Sequence, residues 1–260
     1  MAQTIHRRHA LALIGAAAAA GPVARARAQA ARHYAVISLV GDELELVYGN
    51  PGVGSNLDRN VRKPMPDADA AFDRIALLAL QEEIQRAERG ARVSLLGLPP
   101  SRLHREPERL FDSKGILLPG SLVDAIAQAG ATHVLLLTKA KGDTKVPMVG
   151  GDIGFGTLRG LGYYVDNFTQ INMVDSGATA RGLLAMFVYT RLTLADARTG
   201  EILAQRTINA AQSQPTAVST TGSADPWEAL APQQKFDALR GLLQTTLRHE
   251  MPALLGAARR

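Results

Sequence analysis

Apolar and polar positions along this chain recur with two periods, and the period assigns most of the elements. From Tyr34 to Val40 the residues are almost all apolar, and beyond Gly41-Asp42 the stretch Leu44-Glu45-Leu46-Val47-Tyr48 alternates. Both read as strands, and the Gly-Asp pair predicts a tight hairpin turn between them. Asn50-Pro51-Gly52 ends the pattern, and the polar run from Gly54 through Asn60 to Pro64 and Pro66 reads as loop. Phe72, Ile75, Leu78 or Ala79, and Ile84 then return at helical spacing, with Asp67 or Asp69 as the cap and Gly90 as the stop. A long amphipathic helix is predicted there. Ala91 to Leu98 reads as a buried strand closed by Pro99-Pro100.

Ser121 and Gly130 frame a short helix through Leu122, Ile126 and Ala129. Thr132 to Thr138 follows, and its continuous Val134-Leu135-Leu136-Leu137 core predicts a central strand covered on both faces. Val134, Leu136, Ile75 and Leu243 are expected to share one core. Helix, glycine, strand occurs at Gly90 and again at Gly130, which is the rhythm of crossover units and a partly parallel sheet. Leu183 to Ala195 and Ile202 to Asn209 flank the turn Asp196-Ala197-Arg198-Thr199-Gly200, a hairpin. After the polar stretch Gln212 to Ser223, Asp225-Pro226-Trp227-Glu228 has the form of a capped helix start, and Phe236, Leu239, Leu243 and Leu247 form a buried stripe. The expected fold class is α/β, with α+β as the alternative. Residues 31–260 are expected to form a single three-layered domain with a mixed sheet, crossover helices, a C-terminal β-hairpin and a terminal helix.

Residues 1–30 differ in kind. Arg7-Arg8 precede the apolar run Ala10 to Ala20, which ends at Gly21-Pro22 and is followed by Ala24, Ala26, Ala28 and Ala30 at alternate positions. A dozen or so apolar residues fall short of the roughly 20 needed to span a bilayer, so the segment reads as an export leader cleaved after Ala28 or Ala30, not as an anchor. The arginine pair resembles a twin-arginine leader, though Ala10 stands where such leaders carry an aromatic residue, and general secretion remains the alternative. A soluble periplasmic protein is expected, with no stable membrane anchor. The leader also alters the charge reading. Of 29 Lys and Arg against 24 Asp and Glu, four arginines and no acid lie in residues 1–30, which leaves 25 against 24. With that near-balance, no nucleic-acid partner is expected.

The absence of cysteine excludes disulfides, thiolate metal sites and a lipobox. The glycines from Gly150 to Gly162 do not form a phosphate loop, because no Lys-Ser/Thr follows them and Tyr163-Tyr164-Val165-Asp166 has strand character, so no helix N-terminus is available to an anion. A flexible hairpin tip or a tight set of turns beside the sheet is expected there, mobile from Lys141 to Gly160, with a true strand from Leu161 to Val165. The histidines at 33, 104, 133 and 249 lack a second histidine at ligand spacing, and His104-Arg105-Glu106-Pro107-Glu108 reads as a solvated loop. Neither G-x-S-x-G nor S-x-x-K occurs, and Asp67, Asp69 and Asp73 are accounted for as helix-start carboxylates. No catalytic, metal or cofactor site is expected. Two loops remain as candidate ligand or partner sites: Ser55, Asn56, Asp58, Arg59 and Asn60, and the stretch beyond the central strand with Lys139, Lys141, Asp143 and Lys145, to which Phe155 and Arg159 of the glycine-rich segment are added.

The leader, Gly130-Ala-Thr-His-Val-Leu-Leu-Leu137, the hairpin Arg191-Leu-Thr-Leu-Ala-Asp-Ala-Arg-Thr-Gly-Glu-Ile-Leu203 and the closing helix resemble uncharacterised exported proteins of proteobacteria. They are also distantly similar to the α/β domain shared by the N-terminal part of the Tol-system β-propeller protein and the curli-secretion lipoprotein. The chain departs from these in having no lipobox cysteine and no propeller. The resemblance implies a non-enzymatic envelope role. The leading expectation is therefore a non-catalytic periplasmic binding or envelope-assembly protein for an unknown envelope protein or small ligand. The alternatives are a hydrolase built around Asp58, Arg59 or His104, and an oligomerising or membrane-active hairpin protein built on Gly150 to Asp166.

Overall fold

The computed structural model describes residues 31–51, 58–172, 179–214 and 225–258. In chain order these hold β1 (His33–Leu39), β2 (Glu43–Tyr48), β3 (Val61–Pro66), α1 (Ala71–Ala87), β4 (Arg92–Leu96), α2 (Arg102–Arg105), α3 (Gly120–Gln128) and β5 (His133–Lys139). Then follow β6 (Lys141–Asp143), β7 (Val146–Met148), β8 (Gly151–Ile153), β9 (Thr157–Asn172), β10 (Thr179–Asp196), β11 (Ile202–Gln214) and α4 (Pro232–Ala257). The sheet is mixed and helices lie on both of its faces, an α/β fold.

β1 lies between β4 and β5 and is parallel to both. Gly90 and Gly130, at φ 89° and 67°, turn the chain out of α1 and α3 toward β4 and β5 in a conformation open to glycine at little cost. With both edges of β1 occupied, β2 cannot fold back on it, and the hairpin expected at Gly41-Asp42 does not form. Instead β2 crosses to pair in parallel with β9, Glu45 opposite Gly162 and Tyr48 opposite Val165. Gly41 permits the crossing, since a Cβ there would lie 2.5 Å from the Asp73 backbone nitrogen in α1. The polar stretch expected as loop through Pro66 contains β3, which pairs antiparallel with β2 and is the terminal strand of the sheet path. Prolines 64 and 66 are tolerated at that outer position, where a missing N–H breaks no inner ladder. β4 ends the path on the other side and is partly exposed rather than buried, because an edge strand has only one neighbour.

The alternation of β5 divides the interior into two cores. Leu135 and Leu137 belong with Ile75, Leu243, Leu247 and the rest of the α1–α4 face, whereas Val134 and Leu136 belong with Leu110, Leu122 and Ile126 beneath α3. Val134, Leu136, Ile75 and Leu243 thus do not share a core; side chains at successive strand positions leave on opposite faces. In α1 the inward residue is Ala79, while Leu78 is 61% exposed. Asp225 Oδ1 accepts the Trp227 N–H at 2.9 Å, but the cap closes only a 3-10 turn over Pro226–Ala229, and α4 begins at Pro232. The hairpin of β10 and β11 forms as expected, its turn held by Asp196 Oδ1 accepting the N–H groups of Arg198 and Thr199.

Part of the glycine-rich segment packs on the sheet. β7 and β8 pair as a small hairpin whose Val146, Met148 and Ile153 cover a third apolar cluster of Val47, Tyr164, Leu183, Ala185, Phe187 and Tyr189. β6 pairs with the start of β9, Lys141 opposite Arg159, and Val149-Gly150 form the tip of the β7–β8 hairpin, so residues 141–160 are short paired strands joined by turns.

Candidate functional site

The two edges of β10 are used differently. β11 follows one edge from Leu184 to Ala195. The other edge is shared end to end: β9 occupies it up to Tyr189, and β5 from Thr190 onward. The sheet therefore forks at Tyr189/Thr190, where Ala140 N–H donates to the Tyr189 carbonyl (2.9 Å) and Gly160 N–H to the Ala140 carbonyl (3.2 Å). A switch of partner of this kind opens a crevice that packed ladders do not have.

A cavity of about 280 Å³ lies at this fork, lined by Thr138, Lys139, Ala140 and Lys141 from the end of β5 and the start of β6, Arg159 of β9, Arg191 of β10, and Pro107, Glu108 and Phe111 from the segment after α2. Its charged lining residues are Lys139, Lys141, Arg159, Arg191 and Glu108. Lys139, a residue only 8% exposed, is committed, since its ammonium pairs with Asp42 Oδ1 at 2.5 Å and donates to the Glu43 carbonyl at 3.0 Å. Arg159 Nη2 donates to the Arg105 carbonyl at 2.6 Å and lies 3.5 Å from Glu108. Arg191 is different. Its guanidinium stands over the Phe111 ring at 5.7 Å, and its Nε is buried with no hydrogen-bond partner among the described residues. An unsatisfied guanidinium N–H is costly to bury, and an oxyanion reaching it would complete its hydrogen bonding.

Of the candidate residues, Lys141 and Arg159 meet in this cleft. Asp58, Asn60 and Phe155 meet in a separate knot: Asp58 Oδ2 accepts from Thr157 Oγ1 (2.6 Å), Thr157 N–H (3.1 Å) and Arg62 Nη2 (2.6 Å), and Asn60 Nδ2 donates to the Phe155 carbonyl (2.6 Å). Burial alone would raise the Asp58 carboxyl, but hydrogen bonds from Thr157, Asn60 and Arg62 outweigh it and hold the group below its ordinary value. The two loops read separately in the sequence are thus tied together. Asp143 lies opposite Thr157 in the β6–β9 pair, and its carbonyl accepts the Tyr189 hydroxyl at 2.9 Å. Arg59 is exposed, and Ser55 and Asn56 lie outside the described residues. Arg191 and Phe111 were missed. An arginine inside the otherwise apolar run of β10 was the available signal for the first, and nothing local marks the second.

His104, expected in a solvated loop, is fully buried. Its Nε2 lies 3.1 Å from Asp73 Oδ2, while Nδ1 accepts the Ser101 N–H at 3.3 Å and lies 3.2 Å from Ser101 Oγ. Asp73 Oδ1 in turn accepts the Val40 N–H at 2.9 Å. The order Ser, His, Asp is that of a hydrolase relay, but the chain of bonds fastens α2 to α1 and to the end of β1, and the imidazole has no exposed surface. Asp73 is more than a helix-start charge for the same reason. Among the described residues, no group of three or more His, Asp or Glu is placed to hold a metal ion, and no helix is long and apolar enough to cross a membrane.

No family model and no curated protein matches this chain. Solved structures of similar form include a DUF330-family protein from Xanthomonas campestris (9% identity, TM-score 0.34, covering 86% of this chain and 81% of that one). Others are a PelC dodecamer from Paraburkholderia phytofirmans (12%, TM-score 0.27, 84% and 86%) and a hypothetical protein from Chlamydia trachomatis (12%, TM-score 0.26, 84% and 98%). Likeness at this level carries neither function nor assembly over to this chain.

Proposed function

We propose that the protein is a non-catalytic binding protein of the cell envelope that holds an anionic group, a phosphate or a carboxylate, in the cleft at the fork of the sheet. The observation that carries this reading is Arg191, over the Phe111 ring with a buried Nε that has no hydrogen-bond partner among the described residues, in a cleft also lined by Lys141 and Arg159. The envelope setting is supported by the leader-like residues 1–30 and by the resemblance to exported proteins. Isothermal titration of the mature chain with inorganic phosphate, pyrophosphate and citrate tests the cleft. Arg191→Met, which retains the apolar stem against Phe111, should weaken whichever anion binds by about 10–100-fold, the range expected for one or two lost hydrogen bonds to a charged group. Unchanged affinity in that variant, or no binding of any of the three anions by the wild type, defeats the assignment.

A hydrolase reading has one observation in its favour, the Ser101–His104–Asp73 chain. It ranks second because the buried imidazole leaves no approach for a substrate.

A further inference from the structure

A second cavity lies on the opposite face of the sheet, where the start of α4 and the 3-10 turn before it pass over β3 and β9. Its volume is about 660 Å³, within the range of small-molecule pockets. Met65, Tyr163, Trp227 and Leu230 supply apolar and aromatic wall, with Tyr163 and Trp227 edge to face at 5.3 Å. Lys235 and Glu228 are its charged lining residues, and Lys235 is the buried one. The residue is only 5% exposed, yet its ammonium makes no hydrogen bond or ion pair among the described residues and rests on the Trp227 ring, 3.6 Å from the centroid. Burial shifts this ammonium downward from its usual value, against the opposing fields of Glu228 and Asp225.

A lysine in the first turn of a helix faces the positive end of the helix dipole, and burial adds a second penalty. One acceptor would offset both: an anionic group brought into the cavity would meet the ammonium at the positive end of the helix dipole. The aromatic wall then favours an apolar body behind that anionic head. We infer that this cavity binds a small amphipathic anion, a carboxylate on an aliphatic or aromatic body, with its head at Lys235 and its body against Trp227, Tyr163 and Met65.

The chain has a single tryptophan, so the site reports on itself. The full mature chain is titrated with decanoate, decanol and decylamine below their aggregation concentrations, and Trp227 emission is recorded. Decanoate should shift the emission saturably and bind at least about tenfold more tightly than decanol, the gain of one charge-assisted contact, with decylamine weakest. Lys235→Met should abolish the preference for decanoate over decanol, and Lys235→Arg should retain it. Arg191→Met should leave the decanoate titration unchanged, which separates this site from the cleft at the fork. Equal binding of decanoate and decylamine, absence of a saturable shift, or a Lys235→Met variant with wild-type preference overturns the inference. If Lys235→Met does not fold, the comparison of the three ligands on the wild type and on Lys235→Arg decides alone.

Discussion

Truncating Leu136 to alanine tests the division of the interior into two cores. Leu136 has no exposed surface and belongs to the smaller core under α3, which has eight buried members. The change removes three carbons; at about 0.8 kcal/mol for each, transfer alone costs about 2.4 kcal/mol. β5 is held by hydrogen-bonded neighbours along both edges, so the backbone cannot close over the void, and the residual cavity raises the cost to about 3–5 kcal/mol. For a domain of this size that corresponds to a fall in Tm of roughly 6–20 °C. Urea denaturation followed by circular dichroism measures it, with Leu117→Ala as a control at a position 61% exposed. The same experiment reads the partition of the cores. Combined with Leu136→Ala, Ile126→Val in the same cluster should depart from additivity, whereas Ile84→Val on the opposite face should add within about 0.5 kcal/mol. A Leu136→Ala midpoint equal to that of the control would refute the buried, rigid placement of β5. Coupling to Ile84 as strong as to Ile126 would refute the two-sided interior.

Gly162→Ala should be among the most damaging small substitutions, because its Cβ would run into the Glu45 carbonyl across the β2–β9 pair; loss of soluble expression or a sharply lower urea midpoint checks this, and a wild-type midpoint contradicts it. Burial and the Arg32 charge lower the His133 pKa, so its contribution to stability is complete above the unfolded value of about 6.5 and is lost as pH falls through the lower folded value. His133→Gln should accordingly flatten the acid side of the Tm profile between pH 7 and pH 5. The depressed Asp58 behaves as a carboxylate, its contribution present above about pH 4 and lost only in stronger acid, so Asp58→Asn should erase a transition below that pH without altering the His133 limb. Lys141 and Arg159 are strand-paired, whereas Lys145 is exposed between β6 and β7; trypsin should cut after Lys145 before either of the others, and early cutting at Arg159 would contradict the pairing. Export predicts a mature chain beginning near Ala31 in the periplasmic fraction, and full-length protein in the cytosol would remove the envelope reading.

What the sequence by itself determined was everything that depends on near neighbours. The 3.6-residue recurrence of Phe72, Leu80 and Ile84, the glycine stops at Gly90 and Gly130, the uninterrupted apolar run of β5 and the Asp196 to Gly200 turn each require only a few consecutive residues, and all are present in the structure. What only the tertiary structure decided was the choice of partners. Whether β2 returns to β1 or crosses to β9 depends on which strands already occupy the edges of β1, and these lie about 60 and 100 residues further along the chain. Whether His104 is solvated depends on Asp73 reaching it from α1, and whether Val146, Met148 and Ile153 pack depends on an apolar cluster of β9 and β10 that needs covering. The cleft is the extreme case. It exists because β5 and β9 share one edge of β10, so Lys141, Arg159 and Arg191 converge on a gap in a hydrogen-bond ladder, and no local pattern of residues encodes where two strands will part.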